Sequence, residues 1–162
     1  MRLGHGHGSL SQEMARRNYM VLGVNLILSL AIMYLGMFAM IDRLGDYFNN
    51  LNAFYMALVM WAPMAAVMLL TMRQMYPNRK LNLALYAALA LIFALSYFGI
   101  RDQSLVGDRQ FLRSMIPHHS GAILMCTEAP ITDPAIKQLC QGIIASQTSE
   151  IAQMKAILQR QK

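Results

Sequence analysis

Long apolar runs separated by short polar stretches fill the first two thirds of the chain, and an amphipathic pattern of helical spacing fills the rest. Tyr19 to Ile41 contains no charged residue, and roughly twenty apolar residues suffice to cross the hydrocarbon core of a bilayer. Phe54 to Met72 and Leu81 to Ile100 meet the same criterion. The first run is longer than a signal-peptide core and lacks a small-x-small cleavage site, so it is expected to be retained. The pattern predicts a polar tail over 1–18, disordered or loosely helical at a membrane surface. It then predicts three transmembrane helices within 19–100, at about 19–41, 54–72 and 81–100.

Beyond Arg101 the pattern becomes that of a helical hairpin over 101–162. Asp108 is a plausible N-cap for a helix running to about Thr127, Pro130 closes the turn, and Asp133 with Pro134 marks the start of a second helix. Ile136, Leu139, Cys140, Ile143, Ile144, Gln147, Ile151, Met154 and Leu158 give that helix an apolar face, with Glu150 beside it. The expected fold class is all-α. A single hairpin leaves its outer flanks bare, so dimerisation to a four-helix bundle is the simplest completion.

Composition strengthens the membrane assignment: 56% of residues are hydrophobic and only 14% charged, outside the range of ordinary soluble domains. The formal charge of +6 is scattered at segment ends rather than forming a stripe, so nucleic acid is not an expected partner. The basic residues instead report topology. Arg2, Arg16 and Arg17 precede the first run and Arg73, Arg79 and Lys80 follow the second, whereas the first loop carries Arg43 against Asp42 and Asp46. The positive-inside rule then makes the N-terminus cytoplasmic and everything after Arg101 extracytoplasmic.

Candidate chemistry concentrates between Asp108 and Cys126. On a helix Met115 lies beside His118 and His119, and Met125 is one heptad beyond His118. Imidazole serves many metals but thioether only soft ones, so this set favours Cu(I). Phe111, Met115, His118, Ala122 and Met125 also follow the heptad spacing of a packed face. Adjacent histidines diverge by about 100° unless Pro117 bends the helix, so a packed pair stands as the alternative. Cys126 is a further candidate ligand, or a disulfide partner of Cys140, or an inert thiol.

Other features carry less. Met56, Met60, Met64, Met68 and Met72 form a ladder that could relay Cu(I) through the second run, or simply pack there. Asn25 and Ser29 are expected to meet a neighbouring helix. The Gly4-His-Gly-His-Gly8 segment is a weak metal binder or a flexible tail. No Ser/His/Asp set, phosphate loop or carboxylate pair suggests an enzyme.

The run Asp108-Arg-Gln-Phe-Leu-Arg-Ser-Met-Ile-Pro-His-His-Ser-Gly-Ala, followed by Asp133 and by Ser-Gln147-Thr-Ser-Glu150-Ile-Ala-Gln-Met154, resembles the domain-of-unknown-function family three hundred and five. Asn-Leu-Asn-Ala-Phe-Tyr-Met56 and Met75-Tyr-Pro-Asn are similar to its membrane-anchored branch. The resemblance implies a ferritin-like helical fold and a copper association, since the family includes a periplasmic copper-binding protein of cyanobacteria. It carries that association onto Met115, His118, His119, Met125 and Met154. The family's typical members have longer or repeated helical units, so a complete site here could need two subunits. Di-iron chemistry is not implied, because inward carboxylates with a Glu-x-x-His arrangement are missing. The expectation is a non-enzymatic protein of the bacterial inner membrane whose periplasmic hairpin binds Cu(I) for sequestration or hand-over, with membrane lipid, a second copy and a copper-handling protein as partners. A transporter using the Met ladder and a structural or assembly factor are the alternatives.

Overall fold

The computed structural model describes residues 6–161, with side chains from Gln12 onward. Among the described residues the secondary structure is helical throughout: α1 (Gly6–Gly36), α2 (Leu51–Thr71), α3 (Arg79–Arg101), α4 (Asp108–Glu128) and α5 (Pro134–Arg160). Three helices, over Gln12–Gly36, Leu51–Thr71 and Arg79–Arg101, are long and apolar enough to cross a membrane. Their ends differ from the expected ones for local reasons. α1 stops at Gly36 and gives way to turns, so its run ends short of Ile41. Asn50 starts α2 ahead of Phe54 by accepting a hydrogen bond from the Ala53 backbone N–H at 2.8 Å. Asn78 starts α3 in the same way, through Leu81 at 3.0 Å. The expected loose tail is helical from Gly6, while His5 lies outside the described residues.

Helix α2 is the centre of the apolar unit, packed between α1 and α3. Its buried residues Ala57, Ala62 and Ala65 are small, which lets the helices approach, and Trp61 and Leu69 fill the space with Leu22 and Leu89. Tyr55 lies over Gly99 so closely that a Cβ there would sit 3.2 Å from the ring. Ser29 meets α2 as expected, accepting from the Trp61 indole N–H at 3.1 Å, while Asn25 is exposed instead. Pro63 is accommodated inside α2, which runs on unbroken.

Helices α4 and α5 pack as a pair across a short link. Asp133 caps α5 through the N–H groups of Ala135 and Ile136, with Pro134 at the first position. Gly107, rather than Asp108, is the N-cap of α4; Asp108 occupies the first turn, where its charge favours the helix N-terminus. The buried stripe of α4 is Leu112, Ile116 and Ser120, with Gly121. The heptad stripe through Phe111 and Met125 is therefore not the core: both side chains are about half exposed. On α5, Cys140 and Ile151 are buried and Ile143, Ile144, Gln147, Met154 and Leu158 are partly buried, but Ile136 and Leu139 are exposed, so the expected apolar face lacks cover at its N-terminal end.

Two junctions tie this pair to the apolar unit. Gln110 accepts a hydrogen bond from the Leu51 N–H at 3.1 Å, satisfying a donor at the start of α2, and Asn52 donates to Gln103 at 3.0 Å. The second junction is a clasp from the loop between α1 and α2. Ser120 Oγ donates to Asp46 Oδ2 at 2.7 Å and accepts from the Asp42 N–H at 2.8 Å, while Lys155 Nζ meets Asp46 Oδ1 at 2.5 Å. The Asp46 side chain is only 5% exposed, so these partners take the place of the water its oxygens have lost. Gly121 allows the loop to come this close, since a Cβ there would lie 3.3 Å from the Met40 carbonyl oxygen.

Candidate metal centre

Met115 and His119 stand four apart on α4, and Met154 reaches the same level from α5. Together with Phe111, Glu150, Gln153 and Ile157 they line one surface cleft of about 240 Å³. The cleft thus gathers one imidazole, two thioethers and a carboxylate. His118 is exposed and turned aside, its ring centroid 6.0 Å from that of His119. The divergence follows from helical geometry, because α4 continues through Pro117 as one helix and adjacent positions on a helix point about 100° apart. Met125 is exposed and does not line the cleft.

Hydrogen bonding fixes the His119 ring. Nδ1 lies 2.9 Å from the Met115 carbonyl oxygen, which can only accept, so Nδ1 carries the proton there. Nε2 is then the nitrogen a metal would use, as where a backbone carbonyl orients a ligating imidazole, but only once it gives up the proton it donates to Glu150. It now lies 2.7 Å from Glu150 Oε2. Glu150 also accepts from the Ser146 hydroxyl at 2.6 Å. The Ser146 hydroxyl first, and then the His119 ring, hold the Glu150 carboxyl below the usual glutamate range. A metal on Nε2 would have to displace this carboxylate or recruit it.

Cys126 and Cys140 form a disulfide, with Cα atoms 5.2 Å apart. The sulfur of Cys126 is therefore committed, and it leaves the candidate ligand set as a thiolate. The bond spans the α4–α5 link, so α4 ends near enough to Cys126 for the two helices to register there. Among the described residues no group of three or more His, Cys, Asp or Glu side chains could hold a metal ion. Any metal at the cleft would need its thioethers, which restricts it to soft ions. The Met ladder drifts around α2: Met64 and Met68 pack on the core, whereas Met56, Met60 and Met72 are exposed.

The Asp46 clasp has no counterpart in the sequence expectations. Its signals were a carboxylate in a short loop between apolar runs and Lys155, a cation next to the apolar position Met154. Ser120 adjoins His119 and Lys155 adjoins Met154, so on each helix a residue of the clasp directly follows a residue of the cleft.

A protein with three membrane-length helices followed by a disulfide-clipped helical pair is the class these features define. The chain belongs to the family described as Domain of unknown function (DUF305), whose pattern matches residues 101–158. It is similar to an uncharacterized protein of Acanthamoeba polyphaga mimivirus, with 37% identity over 123 residues that cover 75% of this chain and 79% of the relative. No solved structure matches the chain.

Proposed function

We propose that the protein is a membrane-anchored Cu(I)-binding protein that sequesters or hands over the ion, using Met115, His119 and Met154. The reading rests on one observation: those three side chains line a single cleft in which His119 Nδ1 is engaged by a backbone carbonyl. Two thioethers and one imidazole form a soft donor set suited to Cu(I). His118 and Met125 have secondary parts at most, since they lie outside the cleft. The expected membrane is the bacterial inner membrane. An extracytoplasmic position for the helical pair is supported by the basic residues around α1 and the α2–α3 link and by a disulfide that suits an oxidising compartment. A second copy is the expected cover for Ile136 and Leu139, completing a ferritin-like four-helix arrangement.

A purely structural role is the second reading, favoured by the engagement of both His119 nitrogens in hydrogen bonds. Cu(I) titration of the purified full chain against a competing chelator separates the two. On the copper reading His119→Ala and Met154→Leu each weaken binding by at least about ten-fold, the loss expected for one ligand or its close support. His118→Ala and Met125→Leu change it little. The triple change Met60→Leu, Met64→Leu, Met68→Leu leaves binding intact unless α2 is the carrier. A folded chain that ignores Cu(I) sinks the copper reading.

A further inference from the structure

One end of the apolar unit collects positive charge from two separate stretches of the chain. Asn18 on α1 donates to the Met75 carbonyl at 3.2 Å, and the Tyr19 hydroxyl accepts from the Asn78 N–H at 3.2 Å and donates to Asn82 at 2.7 Å. The Tyr19 and Tyr76 rings lie 5.2 Å apart, and Tyr76 is buried. This frame holds Arg16 and Arg17 of α1 at the same level as Arg73 in the α2–α3 link and Arg79 and Lys80 at the start of α3. All of these cations are exposed, and among the described residues none lies within 4.0 Å of a carboxylate. Glu13 is the one acid nearby in sequence. The opposite end is mixed, with Asp42, Asp46 and Asp102 among Arg43 and Arg101.

We propose that Arg16, Arg17, Arg73, Arg79 and Lys80 form a binding site for the headgroups of anionic phospholipids. Topology alone would ask only for basic residues somewhere in these segments; here side-chain hydrogen bonds lock the two stretches together, so the charges act on one headgroup region. Exposed Met72 and Met75 flank Arg73 and supply an apolar footing at the acyl boundary. A zwitterionic headgroup presents its own cation to the cluster, whereas a phosphatidylglycerol phosphate does not. The inference rests on the membrane-spanning reading of α1 to α3, and not on copper.

Native mass spectrometry of the purified full chain, equilibrated with equal amounts of phosphatidylglycerol and phosphatidylcholine of matched acyl chains, is the test. The expected result is preferential retention of phosphatidylglycerol, falling by about five-fold for each cation removed. The Arg73→Gln, Arg79→Gln, Lys80→Gln variant should lose the preference, with its helical circular dichroism retained. Arg73→Lys with Arg79→Lys keeps the charge and should keep the preference. Equal retention of both lipids by the unaltered chain, or an unchanged preference in the glutamine variant, overturns the proposal. Flotation with neutral phosphatidylcholine vesicles tests the membrane reading separately, because it needs no headgroup selection.

Discussion

The two halves of the molecule meet the same problem, exposed apolar helix surface, in opposite ways. In the α1–α3 unit the helices interlock through Ala57, Ala62, Ala65 and Gly99, and apolar side chains such as Ile27, Ile32 and Leu83 face outward. In a bilayer that outer surface needs no protein partner. The α4–α5 pair buries little beyond Leu112, Ile116, Cys140 and Ile151, and it is fastened by discrete links: one disulfide, the Asp46 clasp and the Gln110 contact. Distributed packing thus faces a few specific fasteners, and single substitutions should separate them.

The largest expected effects are on the clasp and the disulfide. Asp46→Ala removes the buried charge and leaves Lys155, 34% exposed, and Ser120 without their acceptor; losing these two hydrogen bonds to a charged group should cost the docked pair about 3 kcal/mol. Hydrogen exchange should accelerate in α4 and α5 while Trp61 fluorescence stays unchanged. If the whole chain loosens together, the contrast between the halves fails. Removing the disulfide by Cys126→Ser with Cys140→Ser should cost about 3 kcal/mol, given the short loop it closes, again confined to the pair in thermal unfolding. The reverse experiment is Gly99→Val, which drives a side chain into the Tyr55 ring and should cost about 2 kcal/mol in the apolar unit while sparing α4 and α5.

A smaller effect follows from Glu150. Its folded-state carboxyl titrates below the usual range, so its contacts with Ser146 and His119 contribute stability that is fully present above that range and lost as the pH falls through the lowered value. Acid titration should therefore weaken the cleft side of the pair, and Glu150→Gln should flatten that dependence. Smallest is the α3–α4 link, where Leu105 sits in the left-handed region with φ of 61°. Leu105→Gly should stabilise the chain by about 0.5 kcal/mol, since relief of strain slightly exceeds the added freedom of the unfolded chain.

Charge-free runs bounded by polar residues made the three apolar helices legible, and Asp133-Pro134 made the start of α5 legible, because each depends on local sequence alone. Helical spacing also brought Met115 and His119 together. The same spacing could not decide which stripe of α4 is buried: the alternative that packed Phe111 and Met125 is not realised, and Leu112, Ile116 and Ser120 hold the core instead. That choice is made by contacts far apart in the chain: Asp46 selects Ser120 and Lys155, and the rotation of both helices follows. Glu150 was visible beside the face of α5, but its pairing with His119 requires knowing the register of two helices.

The adjacency of His119 with Ser120, and of Met154 with Lys155, has a meaning for insertions and deletions. Adding one residue to α4 ahead of His119 turns everything beyond it by about 100°, which removes the imidazole from the cleft and the hydroxyl from Asp46 in a single event. Length changes within either helix are therefore penalised twice, and the five-residue stretch 129–133 between α4 and α5 is the part of the pair where an added residue would leave both faces in phase.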